Sequence, residues 1–536
     1  MQRILTLFVT MFVSALPISL WAQLTSTNLP IVIITTPTSI NATQQQGTMN
    51  IINNASGVNN INDVPTFTGT IGINWRGSSA FPKYNYNIET WSAPNVNLDT
   101  ALLGLPSEND WVLLGMYTDR SLLRSSLSFK LYESFTRYSP RMRYCEVVVN
   151  NQYQGIYMFG EKIKRDVNRL DIATLNITDN FGDELTGGYI FKLDQGNGQG
   201  WASFYQPPYA GNQTVTFQYE YPDASDITPA QKAYIKAYVD SFENAINSAN
   251  FQDTTIGWRR FGAIGGFADY MIMQELSRNF DAYRQNMFMY KDKLKKLRPS
   301  PLWNMELAWR NTANCNSAAD TGWTWHLGGN CPNESKLAPN WWIKLNNDTA
   351  FMRELKCTYT NYRKPGQALD TVNIFHHIDS VAAMLVIQGA GLRNFTQWPI
   401  WGVPLVNEPT PMANTYGQEI TNLKSFIRNR LAWLDTRWTL NGGCPFPLSI
   451  NETNLNNLIS VYPVPTSNDV QIELGDFKSR DLQIALCNIQ GQCLQQETMT
   501  LARHTLSLRG LSSGVYFVRI TDQSTQQQYI RKVIKN

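Results

Sequence analysis

Two side chains in the middle of the sequence have the types and the spacing that phosphoryl transfer needs. Asp281 and Asn286 are separated by four residues, the Asp-x-x-x-x-Asn spacing of a protein-kinase catalytic loop. That chemistry uses a carboxylate to orient and deprotonate an acceptor hydroxyl, and an amide oxygen to hold a magnesium ion on the phosphates. Asp and Asn are also common in turns, so the spacing becomes specific only together with other motifs.

An upstream segment carries cationic and small residues of the kind that surround a triphosphate. The stretch Ile73–Lys83 contains Arg76, Ser78 and Lys83. Guanidinium and ammonium groups bind phosphate oxygens, and small residues leave backbone N–H groups accessible to them. A single Lys or Arg is most often a solvated surface charge, so these residues gain meaning only jointly.

Taken together, these segments resemble the CotH (spore coat protein H) kinase family, roughly from Pro30 to Trp438. Several motifs occur in the expected order, which makes the resemblance specific. They are Arg76-Gly-Ser-Ser with Lys83, Asp110-Trp-Val, Gly155-x-Tyr followed by Glu161-Lys-Ile-Lys-Arg, Thr186-Gly-Gly-Tyr-Ile, Asn279-x-Asp281, Cys315, and Trp341-Trp342.

The resemblance implies an atypical, two-lobed protein-kinase-like fold. It also implies phosphorylation of Ser or Thr on secreted or cell-surface proteins, with ATP and Mg2+ (or Mn2+) as cofactors. By this likeness Arg76, Ser78 and Lys83 contact the nucleotide phosphates, and Asp281 is the catalytic carboxylate. Glu161 is expected in the nucleotide site, near the strand that leads to the hinge between the lobes.

One position departs from the family pattern. The family usually has Trp-Asp at the downstream motif, and that Asp binds magnesium, whereas here Trp303 is followed by Asn304. An amide oxygen lacks the negative charge that makes a carboxylate a strong ligand for magnesium. In a strand, Glu306 would face the same side as Asn304 and could substitute for the missing charge, with Asn286 as a further metal ligand. Two hypotheses follow: an active kinase, or a weakened pseudokinase that acts as a surface binding or scaffolding protein.

A dense set of tryptophans suggests a third function. Aromatic rings stack on sugars, so a carbohydrate-binding surface protein is conceivable, although burial in a core is the commoner role of such rings. Cys315 and Cys331 flank a Gly- and Trp-rich loop and are the best candidates for a disulfide in an exported chain. The tryptophans are Trp303, Trp309, Trp323, Trp325, Trp341 and Trp342.

The elements that must position these residues follow an α+β order, mainly β and then mainly helical, which predicts two lobes in one domain over residues 24–440. Up to Phe191 the pattern predicts strands and one helix, Asp119–Phe135. A capping box at Thr228–Gln231 opens the helical part. The predicted strands are Ile31–Thr36, Gly69–Trp75, Tyr84–Trp91, Cys145–Val149 and Gly155–Phe159, and the later helices are Ala263–Arg278, Ala350–Tyr362 and Gln418–Trp438.

The C-terminal part reads as a separate module. An Asn-, Gly- and Pro-rich linker over residues 441–457 precedes a strand-rich domain over 458–536, which we predict to be a small β-sandwich. Its predicted strands are Leu482–Asn488, His504–Leu508, Gly514–Ile520 and Gln528–Ile534. The motifs Tyr-Pro-x-Pro, Gly-Gln and Leu-x-x-Gly-x-Tyr resemble the type A sorting domain that the type IX secretion machinery of Bacteroidetes-type bacteria reads. That machinery is therefore an expected partner.

The N-terminal residues predict export. Arg3 precedes a largely apolar stretch, Ile4–Trp21, so residues 1–22 are interpreted as a signal peptide. Pro17 interrupts that stretch, and we expect no integral membrane span. A net charge of +3 over 536 residues gives no reason to expect a nucleic-acid partner. The predicted location is secreted or at the cell surface.

Overall fold

The computed structural model describes residues 24–77, 80–135, 138–194, 198–209, 212–440, 444, 459–474, 482–499, 503–522 and 528–536. The predicted signal peptide, Ser78 and nearly all of the predicted linker lie outside these residues. The chain divides into two units, Met1–Tyr132 with Ser139–Thr439, and Glu133–Tyr138 with Leu440–Asn536. Among the described residues, none of the helices is long and apolar enough to cross a membrane.

The first unit opens with a sheet that closes on itself. The order β5-β3-β2-β9-β10-β8-β6-β7 is completed by a further pairing of β5 with β6, so seven strands form a ring. β2 and β9 run parallel, and the other pairs are antiparallel. The strands of this sheet are β2 (Ile31–Thr35), β3 (Gln45–Ile52), β5 (Phe67–Arg76), β6 (Asn85–Ala93), β7 (Val96–Asn97), β8 (Asp110–Leu114), β9 (Met142–Val149) and β10 (Gln152–Glu161), and β1 (Ser26–Thr27) pairs with β4 (Asn59–Asn60) in a separate two-stranded sheet.

Alternation of apolar and polar residues explains this ring. Ile71 and Ile73 on β5 and Tyr86 and Ile88 on β6 belong to one buried apolar cluster together with Trp111. Residues two apart on a strand face the same side, so each strand contributes every second side chain to this core. The predicted strands in this region are confirmed to within two residues at most ends, except that β9 and β10 begin three residues earlier.

A second sheet and most of the helices complete this unit. The sheet has the order β12-β13-β11-β14-β15. The strands are β11 (Tyr189–Leu193), β12 (Gly200–Ala202), β13 (Thr216–Tyr221), β14 (Met287–Lys291) and β15 (Arg298–Pro299). The helices are α1 (Arg124–Phe135), α2 (Pro229–Asn247), α3 (Ile264–Ser277), α4 (Leu327–Asn330), α5 (Trp341–Asn346), α6 (Thr349–Tyr362), α7 (Thr371–Val386), α8 (Ala390–Gln397) and α9 (Tyr416–Trp438).

Helix starts show where local sequence signals succeed and fail. The capping box at Thr228 is confirmed, because Gln231 N–H donates to the Thr228 hydroxyl and the Gln231 side chain accepts from Thr228 N–H. The predicted start of α1 at Asp119 is wrong by five residues. The Asp119 carboxylate accepts the backbone N–H groups of Ser121 and Arg124, so it ends a turn in front of the helix. Helices α4, α5, α7 and α8 are outside the segments that the sequence pattern predicts to be helical.

The second unit is rich in strands. Two antiparallel sheets, β16-β17-β20 and β19-β18-β21-β22, share one buried apolar cluster that includes Ile472 from the first and Ile484 and Val518 from the second. Four of the strands were predicted. The strands are β16 (Ile459–Tyr462), β17 (Asp469–Leu474), β18 (Leu482–Cys487), β19 (Cys493–Met499), β20 (Arg503–Ser507), β21 (Gly514–Asp522) and β22 (Gln528–Lys535).

Candidate functional site

Asp281 lies in a short loop between helix α3 and strand β14. The helix ends at Arg278, whose left-handed φ of 51° turns the chain away from the helix axis. Asn279 then accepts the backbone N–H of Asp281 at 3.2 Å. Glu275, on the last turn of α3, accepts the Tyr283 hydroxyl at 2.9 Å and so ties the loop to the helix. The position of Asp281 is thus fixed on both sides.

The Asp281 carboxyl is buried with only partial compensation of its charge. The nearest cation is Arg284, whose Nη2 lies 3.5 Å from Oδ1. Burial raises the pKa of Asp281 to about 6; Arg284 opposes this, while the charges of Asp194 and Glu334 add to it. At pH 7 the group is therefore an ionised carboxylate that accepts a proton more readily than an exposed one.

Lys83, between β5 and β6, is a second buried charge among the predicted site residues. Its Nζ donates to the Ile156 carbonyl at 2.7 Å and to Asn394 Oδ1 at 2.8 Å, and it lies 4.9 Å from the centre of the Tyr157 ring. Burial lowers the pKa of Lys83 to about 7, and Glu306 works against this decrease. An ammonium group has three N–H donors. Two of them are used in contacts with described residues, so the third is left for a ligand.

Asn394 was missed by the sequence analysis, because α8 was not predicted. Its Oδ1 accepts both Lys83 Nζ and the backbone N–H of Ile156. Gly155 makes room for it, since a Cβ at that position would lie 2.4 Å from Asn394 Oδ1 and its φ is +87°. The glycine of the Gly155-x-Tyr motif is therefore explained by the close approach of the side chain that holds Lys83.

The segment Trp303–Glu306 contacts both the ring of strands and the loop that carries Asp281. The guanidinium of Arg76, at the end of β5, lies 4.9 Å from the centre of the Trp303 ring. Met305 Sδ is 3.3 Å from Nδ2 of Asn279. Asn304 stands between these two contacts, with a left-handed φ of 49°. Met305, the residue after Asn304, therefore contacts the loop that carries Asp281.

Glu306 does not share a strand face with Asn304. No strand passes through residues 304–306 in the described structure, so the expectation that depended on one is wrong. The carboxylate instead accepts the backbone N–H of Thr118 at 3.3 Å. Burial raises the pKa of Glu306, and Thr118 and Lys83 oppose this increase. Glu306 thus acts electrostatically on Lys83.

Arg76 and Glu161 have partners within the protein. Arg76 Nη1 donates to Asn87 Oδ1 at 2.9 Å, and burial lowers the pKa of Arg76. Glu161 accepts the backbone N–H and the Nε of Arg141, both at 3.0 Å. Glu161 therefore secures the ends of β9 and β10, and a contact between it and a nucleotide stays a prediction.

The predicted cysteine pair and the tryptophans have structural positions. Cys315 and Cys331 are joined by a disulfide with a Cα–Cα distance of 5.6 Å. Trp341 and Trp342 are fully buried, Trp341 against Phe217 and Trp342 against Tyr283. Trp303 and Trp309 are buried as well. Rings in the interior cannot stack on a sugar, so these four tryptophans favour a core over a carbohydrate surface.

Comparison with known families agrees with this architecture. The family described as CotH kinase protein matches residues 71–434, more than half of the sequence, and the chain belongs to that family. Residues 460–536 match the secretion system C-terminal sorting domain, which supports export to the cell surface or secretion and an interaction with the secretion machinery. No curated protein matches the chain.

Two solved structures share short similarities with the chain. One is PorZ, a bacterial surface component of the type IX secretion system of Porphyromonas gingivalis, at 20% identity over 16% of this chain and 12% of that chain, with a TM-score of 0.14. The other is a DUF3244 family protein with an immunoglobulin-like β-sandwich fold from Bacteroides vulgatus, at 16% identity over 16% of this chain and 88% of that chain, with a TM-score of 0.14. A TM-score of 0.14 does not indicate a shared fold over the chain.

Proposed function

We propose that the protein is a secreted CotH-type kinase that transfers phosphate from ATP to Ser or Thr of secreted or cell-surface proteins. The observation that supports this best is the pair of buried, incompletely compensated charges, Asp281 and Lys83. Groups whose pKa values are displaced by burial are concentrated in functional sites. The ring of strands that carries Lys83 and the helical part that carries Asp281 would form the two lobes of a kinase-like domain.

The protein's own groups can be given roles in this reaction. Asp281, ionised at pH 7 and with a pKa of about 6, would orient the acceptor hydroxyl and take its proton. Lys83 would donate its remaining N–H to a phosphate oxygen while Asn394 and Ile156 hold the other two. Arg76 would add a second positive charge on the side of Trp303.

The residue types in and beside the Asp281 loop are those that would hold a divalent metal. Asn286 and Asn304 offer amide oxygens and Asp281 a carboxylate, and hard oxygen ligands are those that Mg2+ and Mn2+ prefer. When bound, the metal would neutralise charge on the phosphates. Glu306 fits this role less well, because its carboxylate accepts the Thr118 N–H. Asn304 favours a second candidate function, a weakened pseudokinase that binds a nucleotide or a partner at the cell surface.

A phosphate-transfer assay separates these functions. Labelled ATP and Mg2+ are incubated with the full chain and with acidic or Ser-rich acceptor proteins. We expect transfer by the parent and its loss in Asp281→Ala, with Asp183→Asn, an exposed carboxylate, as the matched control. Transfer by Asn304→Asp alone would identify the natural protein as a weakened enzyme. An absence of transfer in the parent and in Asn304→Asp would contradict the kinase function.

A further inference from the structure

A carboxylate outside the sequence motifs stands at the same end of the second sheet as Asn286. β11 and β14 are antiparallel neighbours, and Leu193 faces Met287 at the end of their pairing. Asp194 directly follows β11 and Asn286 directly precedes β14, so both residues lie at the end of the sheet where the loop of Asp281 enters β14. Asn286 has a left-handed φ of 51°, so the regular strand pairing ends before it.

Asp194 is also close to the other residues of the site. Its charge stabilises the cationic form of Arg76, whose guanidinium packs on the Trp303 ring. Its Oδ2 lies 3.7 Å from Lys192 Nζ, which holds it on the side of the sheet where Lys192 also meets Glu220 at 3.1 Å. Asp194 therefore lies near Arg76 and at the end of the sheet where the loop of Asp281 enters it.

A buried N–H group of Arg284, beside Asp281, is available to a ligand. Arg284 is 5% exposed, and its Nη2 has no hydrogen-bond partner among the described residues, although it lies 3.5 Å from Asp281 Oδ1. Leaving a buried N–H without an acceptor is costly, so a ligand that brings oxygen atoms would complete it. A nucleotide with its metal ion would supply both the acceptor for Arg284 and a cation between the two carboxylates.

We propose that Asp194 is a ligand of the divalent metal that accompanies the nucleotide, and that it supplies the negative charge which Asn304 lacks. The role depends on the proposed nucleotide-binding function. The carboxylates of Asp194 and Asp281 would share one cation in the complex, together with the amide oxygens of Asn286 and Asn304. Residue 304 would then be a neutral Asn because Asp194, at the end of β11, supplies the negative charge.

Binding of Mn2+ in the presence of a non-hydrolysable ATP analogue tests this role without any turnover. The free Mn2+ is measured by electron paramagnetic resonance for the full chain and its variants. We expect Asp194→Asn to weaken Mn2+ binding at least tenfold and Asp183→Asn to leave it unchanged. We also expect Asn304→Asp to restore the affinity in the Asp194→Asn background, and to add less in the parent, because the two charges serve one ion.

The outcomes separate the two proposals. If the parent binds Mn2+ with the analogue and Asp194→Asn binds it equally well, the role of Asp194 is overturned and the proposed function stands. If neither the parent nor Asn304→Asp shows nucleotide-dependent Mn2+ binding, the proposed function itself is overturned. Should Asp194→Asn fail to fold, Asp194→Glu keeps the charge but moves it outward, and an unchanged Mn2+ affinity in that variant would overturn the role.

Discussion

Two buried ionic groups in the first unit differ in how completely they are paired. Around Arg124, Nη1 lies 2.5 Å from Asp119, Nη2 lies 2.6 Å from Glu419, and Nε donates to the Trp309 carbonyl at 3.3 Å. Burial disfavours the charge of Arg124, but the two carboxylates outweigh it and raise the Arg124 pKa. In this group every charge has a partner of opposite sign.

Lys83 and Asp281, by contrast, are not fully paired with charges of opposite sign. Burial lowers the pKa of Lys83 to about 7 and raises that of Asp281 to about 6, so both are displaced towards the neutral form. A buried charge that the protein does not fully pair costs stability. The difference teaches that the paired group depends on all of its members, while the incompletely paired charges are those on which the proposed metal–nucleotide site would draw.

The largest expected effect comes from breaking the paired group. Arg124→Met leaves Asp119 and Glu419 buried without their cation, which should lower the free energy of unfolding by about 3–5 kcal/mol. Urea denaturation followed by circular dichroism measures the change. Arg428→Met, at an exposed position of α9, is the control and should change stability by less than about 0.5 kcal/mol. A loss below about 1 kcal/mol in Arg124→Met would remove the contrast between the two groups.

Removing the charge of Asp281 should raise the free energy of unfolding, whereas Arg124→Met should lower it. The pKa of this carboxyl is raised from 3.8 to about 6 in the folded protein, so its ionised form destabilises the fold at higher pH. Asp281→Asn should therefore be more stable than the parent by roughly 1–3 kcal/mol at pH 8. The advantage should shrink as pH falls through 6 and vanish below 4. Denaturation at pH 8 and pH 4 measures it, and a variant less stable than the parent at pH 8 would contradict an uncompensated charge.

A smaller effect is expected in the pH dependence of nucleotide binding. Because the pKa of Lys83 is lowered to about 7, its ammonium form is lost as pH rises through 7. The affinity for ATP should fall by up to about tenfold per pH unit above 7, which calorimetric titration from pH 6 to 9 would show. Asn394→Asp would place a negative charge beside Nζ, which should move the fall to higher pH. Equal pH dependence in the parent and Lys83→Met would contradict this role of Lys83.

Local patterns account for what the sequence could predict. The Asp281–Asn286 loop is predicted from two residues that lie five positions apart. The capping box at Thr228 is predicted from two residues that lie three positions apart. The contact between Lys83 and Asn394 spans 311 positions, and no periodicity relates the two residues. The side chain of Glu306 does not face the side that a strand would give it, because the backbone of Asn304 is left-handed. The sequence pattern at residues 304–306 is compatible with a strand and does not reveal this reversal. Long-range contacts and local backbone reversals therefore had to come from the structure.

Binding of ATP to the full chain with and without Mg2+ tests the central claim most directly. If the incompletely paired charges form a metal–nucleotide site, isothermal titration should show binding that requires Mg2+ and disappears with EDTA. The same titration with Arg428→Met should reproduce the parent. An absence of Mg2+-dependent binding at millimolar ATP would contradict the account.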